Sequence, residues 1–145
     1  MGWDVVVVDC DPEVLCRIKT ELYPSRYGRW DDRIELCVSA GEPRGGFDII
    51  CIGTPPDVRK ELALKALEES LAILYLEKPL CGPTLGGLRR FLSCSRAQRE
   101  TTAGVGYNHV VSQSVRAVLA LLDSGWLGEG TTVDVEFREH WHGIF

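Results

Sequence analysis

The chain has 145 residues, 45% of them apolar and 26% charged, an ordinary globular composition able to bury about 70% of its unfolded surface. A formal net charge of -5 gives no long-range attraction to polyanions, so neither nucleic acid nor a membrane is expected as a partner. No apolar run reaches the roughly 18 residues of a membrane span and the N-terminus has no leader pattern. Six cysteines without a CxxC pair read as buried, reduced thiols of a cytoplasmic protein.

Taken in chain order, "WDVVVVD" is a β-branched run ending in an acid, the pattern of a strand buried on both faces. "CDPEVLCRIKTEL" follows as a helix: Asp11 can cap it, Pro12 suits its first position, and Val14, Leu15, Ile18 and Leu22 share a face. A loop over 23–33 leads to the strand "RIELCVS" and the turn "AGEPRGG". "FDIICIGTPP" is a third strand, stopped by prolines, and "DVRKELALKALEES" an amphipathic helix with Asp57 near its start. "LAILYL" is the fourth strand, "PTLGGLRRFLSCSRAQRE" a helix with glycines near its start, and "TTAGVGYN" a short strand. "SVRAVLALLDSGWLG" is a helix stopped by Gly125, and "TTVDVEFREHW" alternates apolar and polar residues as a strand with one wet face.

Strands alternating with helices of this length predict an α/β fold with a doubly wound parallel sheet. In such sheets ligands bind beyond the carboxyl ends of the strands. Asp9, Thr54, Glu77, Lys78 and Asn108 all fall at strand ends and so share one predicted rim.

Asp9 can accept hydrogen bonds from the two hydroxyls of a ribose, or it can serve as a loop or helix-capping carboxylate, and the residue alone does not separate these roles. Gly53 lets backbone approach a ligand in "GTPP", which by itself is equally a turn. Lys78 can hydrogen-bond a hydroxyl or a carbonyl gaining negative charge. With a reference pKa of about 10.4, a lysine is a polarising cation at neutral pH rather than a base. Its plain alternative is a solvated lysine paired with Glu77. Asn108 and His109 can orient a polar ligand, and taken alone ordinary loop polarity explains them equally well. His140 and His142 lie two apart with no third ligand at suitable spacing, so no metal is expected.

Put in order, "GTPPDVRKELALKALE", "LEKPLCG", "AGVGYNH" and "LLDSGWLGEGTTVDVEFREHW" resemble the glucose-fructose oxidoreductase family, also called the Gfo/Idh/MocA family of NAD(P)-dependent oxidoreductases. The resemblance covers most of the chain from about residue 47. It implies a Rossmann domain followed by an α/β domain on an open sheet, and oxidation or reduction of a hydroxyl on a sugar, cyclitol or related polyol. By that resemblance Asp9 matches the acid of the second Rossmann strand, and Thr54 and Pro55 the loop beside the cofactor. Glu77, Lys78 and Pro79 match the EKP motif, whose lysine contacts substrate, and Asn108 matches the asparagine of the last Rossmann strand. NAD is the implied cofactor, with NADP disfavoured by the Asp9 charge.

The chain departs from the family pattern at Arg59, where histidine is common, at Val110 and Val111, and in "EESLAIL", which lacks a usual glycine. No GxGxxG occurs in the 145 residues, so the turn that holds a pyrophosphate has no counterpart. The expected organisation is a partial Rossmann domain over 1–122, lacking its first strand and glycine loop, and the start of a second α/β domain over 123–145. The chain is therefore expected to be truncated relative to the family at both ends. Without a central strand, "VVVVD" and "DIICIG" must pair with each other or leave edges open, which favours a homo-oligomer. The alternative to an oxidoreductase is a non-catalytic remnant or self-associating module.

Overall fold

The computed structural model describes residues 2–129 together with Thr132, Asp134 and Glu136. The alternating strand expected after residue 130, with His140 and His142, lies outside the described residues apart from those three positions. So does most of the expected second domain.

β1 (Val5–Asp9) pairs in parallel with β2 (Ile34–Val38), Val5 opposite Ile34 and Asp9 opposite Val38. Between them, α1 (Pro12–Arg17) starts as its sequence dictates: Asp11 Oδ1 accepts the Glu13 N–H at 2.8 Å, and Pro12 occupies the first turn, where no N–H is needed. The helix then widens into a π turn at Ile18–Leu22 and continues as α2 (Tyr23–Tyr27), where the sequence had indicated a loop. Pro24 accounts for the widening, because it has no N–H to give and its ring crowds the carbonyl four residues back. Beyond it, Tyr23 packs against Tyr27 and Trp30 with ring centres 5.1 and 5.0 Å away, and the Lys19 ammonium lies 5.6 Å from the Trp30 ring.

The turn into β2 is held by Asp31. Its carboxylate takes a bidentate pair of bonds from the Arg33 guanidinium, at 3.1 Å from Nε and 2.6 Å from Nη2, and one from the Arg33 N–H at 3.1 Å. These bonds hold the carboxyl at a pKa of about 2, against 3.8 when free. Because the folded pKa is depressed, the contribution is present above the unfolded value and is lost as pH falls through the folded one. Urea midpoints of wild type and Asp31→Asn should therefore differ at about pH 5 and converge toward about pH 2. A difference that is constant across that range would contradict this assignment.

The second sheet runs β3 (Ile49–Ile52), β4 (Ile73–Leu76), β5 (Thr102–Val105), all parallel, with β4 in the middle. The register aligns Ile52, Leu76 and Val105, so the three strands end level. α3 (Pro56–Leu67) and α4 (Leu88–Ala97) cross between them and cover one face. Leu74 and Leu76 are fully buried there among Ile52, Ala63, Leu67, Leu71 and Phe91. Ile49, Ile73 and Tyr75 point to the opposite face and are exposed. α4 starts at Leu88, later than its sequence implied, behind Gly87 at φ 73°, where a Cβ would lie 2.7 Å from the Lys60 side chain. After β5 come a 3-10 turn (Asn108–Val111) and α5 (Gln113–Asp123), which ends before Gly125 as expected.

The architecture is a parallel α/β fold of β-α-β units, the pattern of a partial Rossmann-like sheet. Two readings are corrected. The apolar strands are not buried on both faces: Val5 and Val8 are exposed, as is one face of β3 and β4, because the helices cover a single side of that sheet. The cysteines are free but none is buried, since Cys10, Cys16 and Cys51 fall on uncovered surface and Cys37, Cys81 and Cys94 are half-covered. Of the two arrangements open to "VVVVD" and "DIICIG", the chain adopts the open one: β1 and β3 belong to separate sheets and do not pair.

Candidate functional site

Parallel strands that end level bring their following loops together, and the loops after β3, β4 and β5 form one rim. Strand pairing continues just past the last residues of the strands: Glu77 N donates to Ile52 O at 3.0 Å and Gly106 N to Leu76 O at 2.8 Å. Gly106 lies against the Tyr75 ring, where a Cβ would come within 2.6 Å of Cζ, so a side chain at this position would push the ring aside. Asn108 follows in the 3-10 turn, which places its backbone at the same rim.

The turn after β4 alternates in burial. Glu77 is half-buried, Lys78 and Pro79 are exposed, and Leu80 returns to pack against the core. The Lys78–Pro79 peptide is cis. Glu77 does not ion-pair with the Lys78 ammonium, as the plain alternative for these residues required. Its Oε2 instead accepts the Lys78 backbone N–H at 2.7 Å. Among the described residues the ammonium has no hydrogen-bond or ion-pair partner, and the residue is exposed at the strand ends.

On the β3 side, Gly53 opens onto space, with no heavy atom within 4 Å of where its Cβ would stand. Thr54 Oγ1 is buried and has no hydrogen-bond partner among the described residues, a rare state for a buried hydroxyl. Pro55 caps α3 and its carbonyl accepts the Arg59 N–H at 3.0 Å. Asp9 ends β1, in the other sheet. Its Oδ1 accepts the Asp11 N–H at 2.9 Å, so one oxygen serves the loop while Asp11, not Asp9, caps the helix. No strand pairing joins Asp9 to the β3–β4–β5 rim.

The residue that sequence reasoning misplaced is Arg59. Named above only as a departure from the family pattern on an amphipathic helix, it is 4% exposed and is the one buried charged side chain among the described residues. Nη1 donates to Glu77 O at 2.7 Å and also to Pro79 O, while Nη2 donates to Thr54 O. The guanidinium thus ties the loop after β3 to the turn after β4. Its position one turn into α3, directly behind "GTPP", was the available signal: a long cation there can reach backward to the strand-end carbonyls.

Neither a family model nor a curated protein matches the chain. Solved structures do. A protein described as an oxidoreductase from Bacteroides fragilis is 21% identical with a TM-score of 0.59, over 87% of this chain and 33% of that one. A myo-inositol 2-dehydrogenase from Lactobacillus plantarum is 19% identical with a TM-score of 0.63, over 86% of this chain and 34% of that one. The chain thus spans about a third of the length of the solved structures it matches. At these identities the likeness is one of fold, consistent with the partial Rossmann-like α/β arrangement of this chain.

Proposed function

We propose that the chain is part of a nicotinamide-dependent oxidoreductase of the Gfo/Idh/MocA type, acting on a hydroxyl of a sugar, cyclitol or related polyol. The observation that carries the reading is the convergence at one rim of the Thr54 loop and the Glu77–Lys78–Pro79 turn, tied together by Arg59, with Lys78 exposed and its ammonium without a partner among the described residues. The fold likeness to a myo-inositol 2-dehydrogenase supports it.

The residues fit the two ends of a dinucleotide and not its middle. Asp9 keeps one carboxylate oxygen without a hydrogen bond among the described residues, able to accept from ribose hydroxyls. The space over Gly53 and the unpartnered Thr54 hydroxyl suit the nicotinamide end. No GxGxxG turn occurs in the 145 residues to supply amides to a pyrophosphate. When bound, a nicotinamide would supply hydride-transfer chemistry: the oxidised ring would take a hydride from the carbinol carbon as the hydroxyl proton is released to solvent, and the reduced ring would return one to the carbonyl carbon. Lys78 would hydrogen-bond the reacting oxygen and stabilise negative charge on it in either direction. The Asp9 carboxylate would repel a 2'-phosphate, so NAD is preferred over NADP.

Calorimetric titration tests both parts. The 145-residue chain should bind NADH weakly, above the micromolar range, and NADPH more weakly still. Submicromolar NADH binding, or a preference for NADPH, would contradict the reading. A second reading, a self-associating non-catalytic module, is favoured by the edges of β1 and β3 that pair with no strand among the described residues and by the exposed apolar residues of α5, Val118, Leu119, Leu121 and Leu122.

A further inference from the structure

A buried guanidinium without a carboxylate is costly unless its N–H groups are satisfied; the two Arg59 Nη atoms together donate to three backbone carbonyls, while its buried Nε has no partner among the described residues. Two of the three, Glu77 O and Pro79 O, flank Lys78 on either side. The third, Thr54 O, belongs to the loop across the rim. A planar fork with fixed donor directions can hold three such acceptors at once, which an ammonium on a flexible stem does poorly. We propose that Arg59 is the positioning residue of the site: it clamps the main chain on both sides of Lys78 to the Thr54 loop, so that the direction of the lysine is set from within α3. The proposal deepens the reading of this rim as a cofactor and substrate corner and rests on it for its functional meaning.

The geometry argues for positioning rather than general support of the core. The main core cluster, built on Leu74, Leu76, Ala63, Leu67 and Phe91, is apolar, whereas the Arg59 hydrogen bonds go to carbonyls of the loops beyond the strand ends. The clamp reaches only strand-end carbonyls. Arg59 is buried beneath the rim, so it does not itself meet a ligand, and Lys78 remains exposed.

Amide hydrogen exchange on the full chain is the test, with Arg59→Lys as the mild variant and Arg59→Ala as the severe one. In Arg59→Lys, exchange at Glu77 and Lys78, whose N–H groups bond Ile52 O and Glu77 Oε2, should speed at least about tenfold while Leu74 and Leu76 keep their wild-type protection. The NADH-induced shifts of the same loop amides should shrink in parallel. Should both variants fail to fold, the wild-type Arg59 guanidinium decides: its Nη protons should give slowly exchanging signals separate from those of the exposed arginines. Unchanged loop exchange in Arg59→Lys, uniform acceleration of loops and core, or Nη signals averaged with the other arginines would each overturn the proposal. The exchange result does not depend on a cofactor. A confined loop effect with no NADH response in wild type would uphold the clamp while refuting the oxidoreductase reading.

Discussion

Lys78→Ala should lower kcat/KM for polyol-dependent NAD reduction by about 10²- to 10³-fold, equivalent to about 2.7–4 kcal/mol of transition-state stabilisation. The magnitude follows from the role proposed for Lys78. A cation that touches the reacting oxygen gains most when that oxygen carries negative charge, and the loss falls on the transition state. The fold should not suffer, because the ammonium has no protein partner among the described residues and the side chain is exposed. Thermal unfolding of Lys78→Ala should match wild type. An unchanged kcat/KM would remove Lys78 from the chemistry. Lost activity with an intact fold would reject the non-catalytic module.

Leu74→Ala should cost about 3–5 kcal/mol of folding stability, a large part of the roughly 5–15 kcal/mol that a domain possesses. Leu74 is fully buried on the middle strand of the three-stranded sheet, facing α3 and α4. Truncation there leaves a cavity that two helices and two neighbouring strands are too tightly held to close. Ile73, one residue earlier, points to the open face at 42% exposure, and Ile73→Ala should cost about 1 kcal/mol or less. Urea unfolding of the two variants checks the contrast. Equal costs would mean that the open face is covered in solution, as self-association through that face would require.

Element order was legible because its signals are local. A β-branched run reads as a strand, Asp11–Pro12 starts a helix and Gly125 ends one, and each appears where its chemistry requires. The alignment of Thr54 with the Glu77–Lys78–Pro79 turn was legible through the strand-end rule, since parallel strands of equal register must end together. Burial was not. "VVVVD" and "IICI" carry the composition of strands covered on both faces, but composition states what a strand can tolerate, not whether another element arrives to cover it. The π turn was missed because Pro24 normally ends a helix, and a widened turn keeps the helix going without its N–H. The Arg59 clamp was missed because a charged residue on an amphipathic helix is ordinarily placed in water. Only the distances to three carbonyls reveal a different fate.

The central claim, that the strand ends form a nicotinamide and substrate corner, is tested most directly by following backbone amide resonances of the chain during titration with NADH. The account predicts millimolar binding with shifts concentrated at Asp9–Asp11, Gly53–Thr54, Glu77–Lys78 and Gly106–Asn108. Shifts confined to other surfaces, or none up to the solubility limit of NADH, would contradict it.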